Sequence, residues 1–164
     1  MSRQDEADEL VRLYNGLRKQ RDELAKTWQF ARWYLLPNRV DDLRFRPSDF
    51  VGRVRNGAAR MACARLAGAH MSHIVTSHEP WFKWIARPGD VAEEDVEEAN
   101  AWYGKCSDIA LMELTRSNFY SEIYECFLDR VGMGTGSLYC GPGRSVRLLF
   151  KAISPEQVGG GGGG

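Results

Sequence analysis

The sequence predicts an α+β chain that is mainly α: four helices followed by a β-hairpin that begins an incomplete sheet. Three observations predict it. Apolar residues recur at helical spacing in four separate segments between residues 4 and 131. After Gly132 the pattern changes to two β-prone runs, 137–140 and 145–153, on either side of Gly141-Pro142-Gly143. The 164 residues are 43% hydrophobic and 27% charged, ordinary globular usage that excludes a disordered chain.

The first helix is expected over 4–35. Leu10, Leu13, Tyr14, Leu17, Leu24, Trp28, Ala31 and Leu35 recur at steps of three, four and seven, which places them on one stripe. Arg18, Lys19, Arg21, Asp22 and Glu23 form the solvated side. Pro37 stops the helix, because proline also restricts the residue before it. Residues 37–55 have no clear period, contain two prolines and read as an ordered loop.

The second helix is expected over 57–75. It is rich in Ala and Gly, with Met61, Leu66, Met71 and Ile74 as its larger apolar residues, and reads as a tightly packed core helix. Residues 76–90 read as a loop or short strand closed by Pro88-Gly89. Asp90 followed by Glu93 resembles a capping box for a third helix over about 91–115. Val91, Val96, Ala99, Trp102, Tyr103, Cys106, Ile109, Ala110 and Leu114 would supply its apolar side. Asn118 is the expected cap of a fourth helix, 119–131, with Phe119, Ile123, Tyr124, Phe127, Leu128 and Val131 inward. Gly132 is the expected C′ residue.

Residues 1–158 suffice for one domain with a sizeable core and are short for two. The six glycines at 159–164 have no packing role and read as a linker, a scar or a placeholder. A two-stranded hairpin is marginal in water on its own, so the sheet reads as begun and not finished.

Lys+Arg and Asp+Glu both number 22, so net charge argues for neither a nucleic-acid nor a membrane partner. Its distribution is uneven. Residues 37–90 carry nine Lys/Arg against five Asp/Glu, and residues 91–128 carry two against nine. A basic and an acidic segment on one chain can pair internally or between copies. No apolar run approaches the roughly 20 residues that span a bilayer, and the charged first 30 residues contain no secretory h-region. Cys63, Cys106, Cys126 and Cys140 form no CxxC pair, which favours free thiols in a reducing compartment.

No constellation carries chemistry well. Gly132-Met133-Gly134-Thr135-Gly136 follows a helix and opens a strand, the reverse of a dinucleotide fingerprint. Gly132, Gly134 and Gly136 are read as backbone-turn residues. Cys63, His70 and His73 share a spacing of three and seven but lack a nearby fourth zinc ligand. Ser72, His73 and Asp90 are framed by no nucleophile elbow. Neither a metal, a cofactor nor a catalytic residue is assigned. Arg39, Arg44, Arg46, Arg53, Arg55, Arg60 and Arg65 suit phosphates and carboxylates alike, and the sparse aromatics among them do not indicate a base-stacking surface. The densest aromatic cluster is Pro80-Trp81-Phe82-Lys83-Trp84. It reads as packing, with Trp81 and Trp84 as possible interface anchors.

Three stretches together resemble the portal, or head-to-tail connector, proteins of short-tailed bacteriophages. They are the first helix with Trp28 and its Tyr34-Leu35-Leu36-Pro37 stop; Ala67-Gly68-Ala69-His70-Met71-Ser72 running through Thr76-Ser77 to Pro80-Trp81-Phe82; and Ser117-Asn118-Phe119-Tyr120 followed by Gly134-Thr135-Gly136-Ser137-Leu138-Tyr139. Asn56-Gly57 stands where the family pattern would have an acidic residue. The resemblance implies the N-terminal part of a portal wing over 1–158. It also implies a ring of self-associated subunits, usually twelve, at one capsid vertex of the virion, assembled in the host cytoplasm. Double-stranded DNA is packaged and ejected through such a ring. Its partners are the terminase large subunit, capsid or scaffold proteins and a tail adaptor, with no membrane. The function is structural and not enzymatic. The interface or packing candidates are Trp81, Phe82, Trp84, Glu93, Glu94, Glu97, Arg53, Arg55 and Arg60. The rival readings are a helical protein-interaction domain of a cytoplasmic adaptor, and a nucleotide-binding enzyme using 132–136.

Overall fold

The structure, a computed structural model, describes residues 3–36, 56–87, 89–155 and 157–158. The expected loop over 37–55, Pro37, Pro88 and the polyglycine tail lie outside the described residues. Among the described residues, four α-helices lead into one antiparallel hairpin: α1 (Arg3–Leu35), α2 (Ala58–Ile74), a 3-10 turn (Glu93–Asp95), α3 (Val96–Arg116), α4 (Phe119–Met133), β1 (Ser137–Pro142) and β2 (Leu148–Ile153). The α+β, mainly helical class is as the sequence predicts.

α4 is the central element and touches α1, α2, α3 and both strands. Its apolar residues recur at three and four, so they form one broad face. Phe119 and Phe127 are buried there with Ala67 of α2, Val75 just after it and Phe150 of β2, while Ile123, Tyr124, Leu128 and Val131 pack around them. Each fully buried aromatic side chain contributes about 1.5–3 kcal/mol relative to an exposed one. A second, smaller cluster joins the end of α1 to α2 and α4 through Leu36, Cys63 and Met133, with Trp28, Ala31 and Leu35 against it.

Where α4 ends differs from expectation. Gly132 lies inside the last turn, where a Cβ would come 3.3 Å from Leu36 Cδ1. The cap is Gly134, at φ 82°, whose N–H donates to the Arg130 carbonyl at 2.9 Å. Glycine takes that left-handed conformation without a Cβ penalty. The indole of Trp28 donates to the Met133 carbonyl at 3.1 Å, satisfying one of the acceptors a helix end leaves open.

The start of α3 differs as well. Asp90 is not its cap. A 3-10 turn intervenes, and Asp95 holds the cap position without a side-chain hydrogen bond. The apolar side assigned to this segment holds at seven of its nine residues and fails at two. Tyr103 and Leu114 face inward, but Trp102 and Ile109 are more than half exposed. α2 is not buried all round either. Cys63 and Ala67 pack on α4, whereas Met61, Leu66 and Ile74 face outward. Small residues allow that one face to approach closely and leave the rest of the helix at the surface.

The hairpin pairs Ser137 with Ile153 through Pro142 with Leu148. The strands therefore continue through the Gly141-Pro142 pair expected to be the turn, and the reversal lies in 143–147. Pro142 ends its strand, a position that tolerates the missing donor. The outer edge of β2 is closed by α4. Asn118 Nδ2 donates to the Phe150 carbonyl at 2.8 Å and its Oδ1 accepts from the Phe150 N–H at 2.9 Å. Glu122 Oε2 accepts from Ala152 N–H at 2.7 Å. Side chains thus take the place of a neighbouring strand on an edge that would otherwise be open. Asn118 occupies the N-cap position of α4 as expected, but makes no capping bond there. Ser117 Oγ accepts from Phe119 N–H instead, at 3.1 Å. The chain leaving β2 is held along α1: Arg32 Nη2 donates to Ser154 Oγ and Arg21 Nη1 to the Val158 carbonyl, both at 2.6 Å.

Candidate functional site

The aromatic segment after α2 is extended, not a strand, and α3 positions it. Ser107 is buried in the middle of α3, where its Oγ donates to the Tyr103 carbonyl and accepts the Trp84 N–H, each at 2.8 Å. Seven residues earlier on the same face, Asn100 Oδ1 accepts the Ala86 N–H at 2.8 Å. Two polar side chains thereby satisfy a backbone that has no ladder partner. Sequence reasoning missed both. The available signal was a Ser and an Asn seven apart on the inner side of a helix, where solvated residues would not be placed.

The segment then divides its aromatics. Trp81 stacks on Phe119 with centroids 6.1 Å apart and planes 6° from parallel, and meets Phe82 edge-on at 4.8 Å. It belongs to the rim of the main core. Phe82 is half-buried, and its ring lies 5.8 Å from that of Trp84, which is 49% exposed beside an exposed Ile85. One end of the cluster packs and the other presents apolar surface.

The acidic candidates lie at and just before the start of α3, the helix that anchors this segment. Glu93, Glu94 and Glu97 are all exposed, in the 3-10 turn and first turn of α3. Arg60 and Arg65 are exposed on α2. Arg53 and Arg55, with Arg39, Arg44 and Arg46, lie outside the described residues. At the other end of α3, Glu113 is shared by Arg116 at 3.6 Å and Arg147 at 3.9 Å. A shallow groove of about 210 Å³ is lined by these three residues with Ser145 and Val146. Two arginines against one carboxylate leave that corner with a surplus positive charge.

The residues weighed for chemistry are dispersed. Cys63 is buried, its thiol pushed up from its ordinary value by burial and then by the neighbouring Asp129 carboxylate. A thiol held protonated is a poor nucleophile and a poor ligand. His70 meets Phe127 edge-on at 5.5 Å, while His73 is exposed. No group of three or more His, Cys, Asp or Glu able to hold a metal occurs among the described residues. Gly136 sits where a Cβ would collide with the carbonyl oxygen and sulfur of Cys126, so the Gly-rich turn is packed against the α4 backbone. No described helix is long and apolar enough to cross a membrane.

Residues 7–159 match the model of the family described as bacteriophage head to tail connecting protein, and the chain belongs to that family. Its role in the phage is therefore structural, at the junction of head and tail. A comparison with curated proteins found no match.

Proposed function

We propose that this chain is a subunit of the portal ring of a short-tailed phage. In this reading twelve copies surround the channel through which double-stranded DNA enters and leaves the head. The family match across residues 7–159 carries the reading. Residues 1–158 would contribute the N-terminal part of the wing. The ring would meet the terminase large subunit and capsid or scaffold proteins during assembly in the host, and the tail adaptor in the finished virion. The chain performs no reaction of its own and holds no cofactor.

The surfaces support a ring in a specific way. A cyclic assembly uses two different patches of each subunit, each meeting its opposite on a neighbour. The exposed acidic turn at Glu93, Glu94 and Glu97 and the basic residues of 39–65, Arg60 among them, supply such a pair in this proposal. Trp84 supplies an apolar anchor in the same proposal. The reading is tested in infected cells by blocking synthesis of this chain. Capsids that lack packaged DNA and tails, restored by supplying the chain in trans, are the expected result. DNA-filled, tailed particles formed without the chain would contradict it.

A further inference from the structure

The hairpin is closed on one edge and open on the other. In an antiparallel pair, facing residues alternate between those that exchange hydrogen bonds and those whose backbone groups point outward. Phe150 and Ala152 point outward, because Asn118 and Glu122 hold their amides. Cys140 and Leu138 face them across the ladder, so the N–H and C=O of each point away from β2. Among the described residues nothing hydrogen-bonds to these groups. An open edge is normally blunted by charge or proline. β1 has no charged residue, and its one proline is its last residue.

The aromatic segment carries a second open edge. The N–H groups of Trp84 and Ala86 both reach α3, through Ser107 and Asn100. An extended backbone turns successive residues to opposite sides, so the N–H and C=O of Lys83 and Ile85 point away from α3. Among the described residues these groups also make no hydrogen bond. Apolar side chains stand exposed at both edges, Ile85 at 68% and Tyr139 at 52%.

These features select a second copy of this chain as the occupant. Each edge offers two donors and two acceptors on residues i and i+2, so each supplies what the other lacks. The two edges are different patches of one subunit and do not bond to each other within it, which is the arrangement a heterologous contact requires. Trp84, the apolar anchor of the proposed ring contact, lies between Lys83 and Ile85, so strand pairing there continues that contact.

We propose that residues 82–87 of one copy add as a strand to the open edge of β1 in the next copy. This deepens the ring reading and rests on it: the pairing is one contact repeated around the assembly.

The test uses the full chain, with the exposed Cys140 as reporter. Ile85→Cys is introduced, and the assembled protein is treated with dibromobimane, a short thiol–thiol crosslinker. Side chains facing each other on paired strands are close enough to be joined. A series of covalent multimers of two, three and more subunits is expected, because every copy carries both partners. The series should be absent from the parent and from Ile85→Cys combined with Cys140→Ser. In the same assay, Ile85→Pro removes the pairing amide and should lower the assembled fraction about tenfold. Ile85→Thr keeps the amide and should assemble as the parent does, with helix content by circular dichroism unchanged in both. Products that stop at a dimer joined through Cys140 of both copies, crosslinks confined to one chain, or Ile85→Pro assembling like the parent overturn the strand pairing while a ring still forms. A protein that never assembles overturns the ring reading together with it.

Discussion

The side chain of Asn118 holds both hydrogen-bonding groups of the Phe150 backbone, donating to its carbonyl at 2.8 Å and accepting from its amide at 2.9 Å. A carboxamide carries one donor side and one acceptor side, as a strand residue does, so the first residue before α4 acts as a one-residue strand beside β2. Phe150 is itself buried and packs edge-on against Phe119 with centroids 5.0 Å apart. The start of α4 and the middle of the hairpin are thereby one unit, joined by polar bonds on one side and ring packing on the other.

Asn118→Ala should therefore destabilise the fold by about 2 kcal/mol, near 1 kcal/mol for each lost bond. The local readout is hydrogen exchange at the Phe150 amide, which should become fast in the variant. Asn118→Asp keeps an acceptor but turns an oxygen toward the Phe150 carbonyl, so it should not restore protection.

Trp81 and Trp84 should behave differently although they sit three residues apart. Trp81 is stacked on Phe119, and Trp81→Ala should cost about 2–3 kcal/mol, below the range for a fully buried aromatic because the ring is only part-buried. Its indole nitrogen is buried without a hydrogen-bond partner among the described residues. Trp81→Phe should therefore cost less than half as much. Trp84→Ala should leave a denaturant melt within about 0.5 kcal/mol of the parent, as surface changes do, and act on assembly instead.

The order of helices and hairpin was legible because it rests on local periods: the 3.6-residue recurrence through Phe119, Ile123 and Phe127, and the Gly-rich break after α4. What was not legible depends on distant partners. Asn118 reads as a cap because capping is the local use of an Asn before a helix, and its real partner lies 32 residues on. Three glycines within five residues made the cap position ambiguous, and Leu36 decided it by packing on Gly132. Periodicity marked Trp102, Ile109 and the leucines of α1 as apolar faces, but it does not say whether the covering surface belongs to the same chain. The aromatic segment was legible as a site of packing. Its anchoring by Ser107 and Asn100 was signalled only by their place seven apart on the inner side of α3, because neither residue type by itself marks burial.

Gly134 and Gly136 should both resist substitution, for separate reasons. Gly134→Ala forces a side chain into the left-handed region at a cost of about 1–2 kcal/mol. Gly136→Ala places a Cβ against the Cys126 carbonyl oxygen and should cost more, with a shift in backbone chemical shifts at the β1 start. Neither change should affect nucleotide binding, and saturable ATP binding abolished by either variant would contradict the structural role of this turn.

Thiol reactivity should separate two cysteines. Burial and Asp129 keep the Cys63 thiol protonated above its ordinary value, while Cys140 is exposed. At pH 8 a disulfide reagent should label Cys140 rapidly and Cys63 only on unfolding. Because the folded thiol ionises later than the unfolded one, its contribution to stability is complete at neutral pH and is lost as pH rises above the ordinary thiol range. Replacing Cys63 with Ser should flatten that alkaline loss, read by melts between pH 8 and 10.

The most direct measurement of the central claim is the mass of the assembled protein in solution, by native mass spectrometry at low ionic strength, where charged contacts are least screened. The account predicts one closed species at a fixed integral multiple of the subunit mass, twelve in the proposed ring, and its loss when Glu93, Glu94 and Glu97 are reversed to Lys while the subunit stays folded. A protein that remains monomeric or dimeric at every concentration would contradict it.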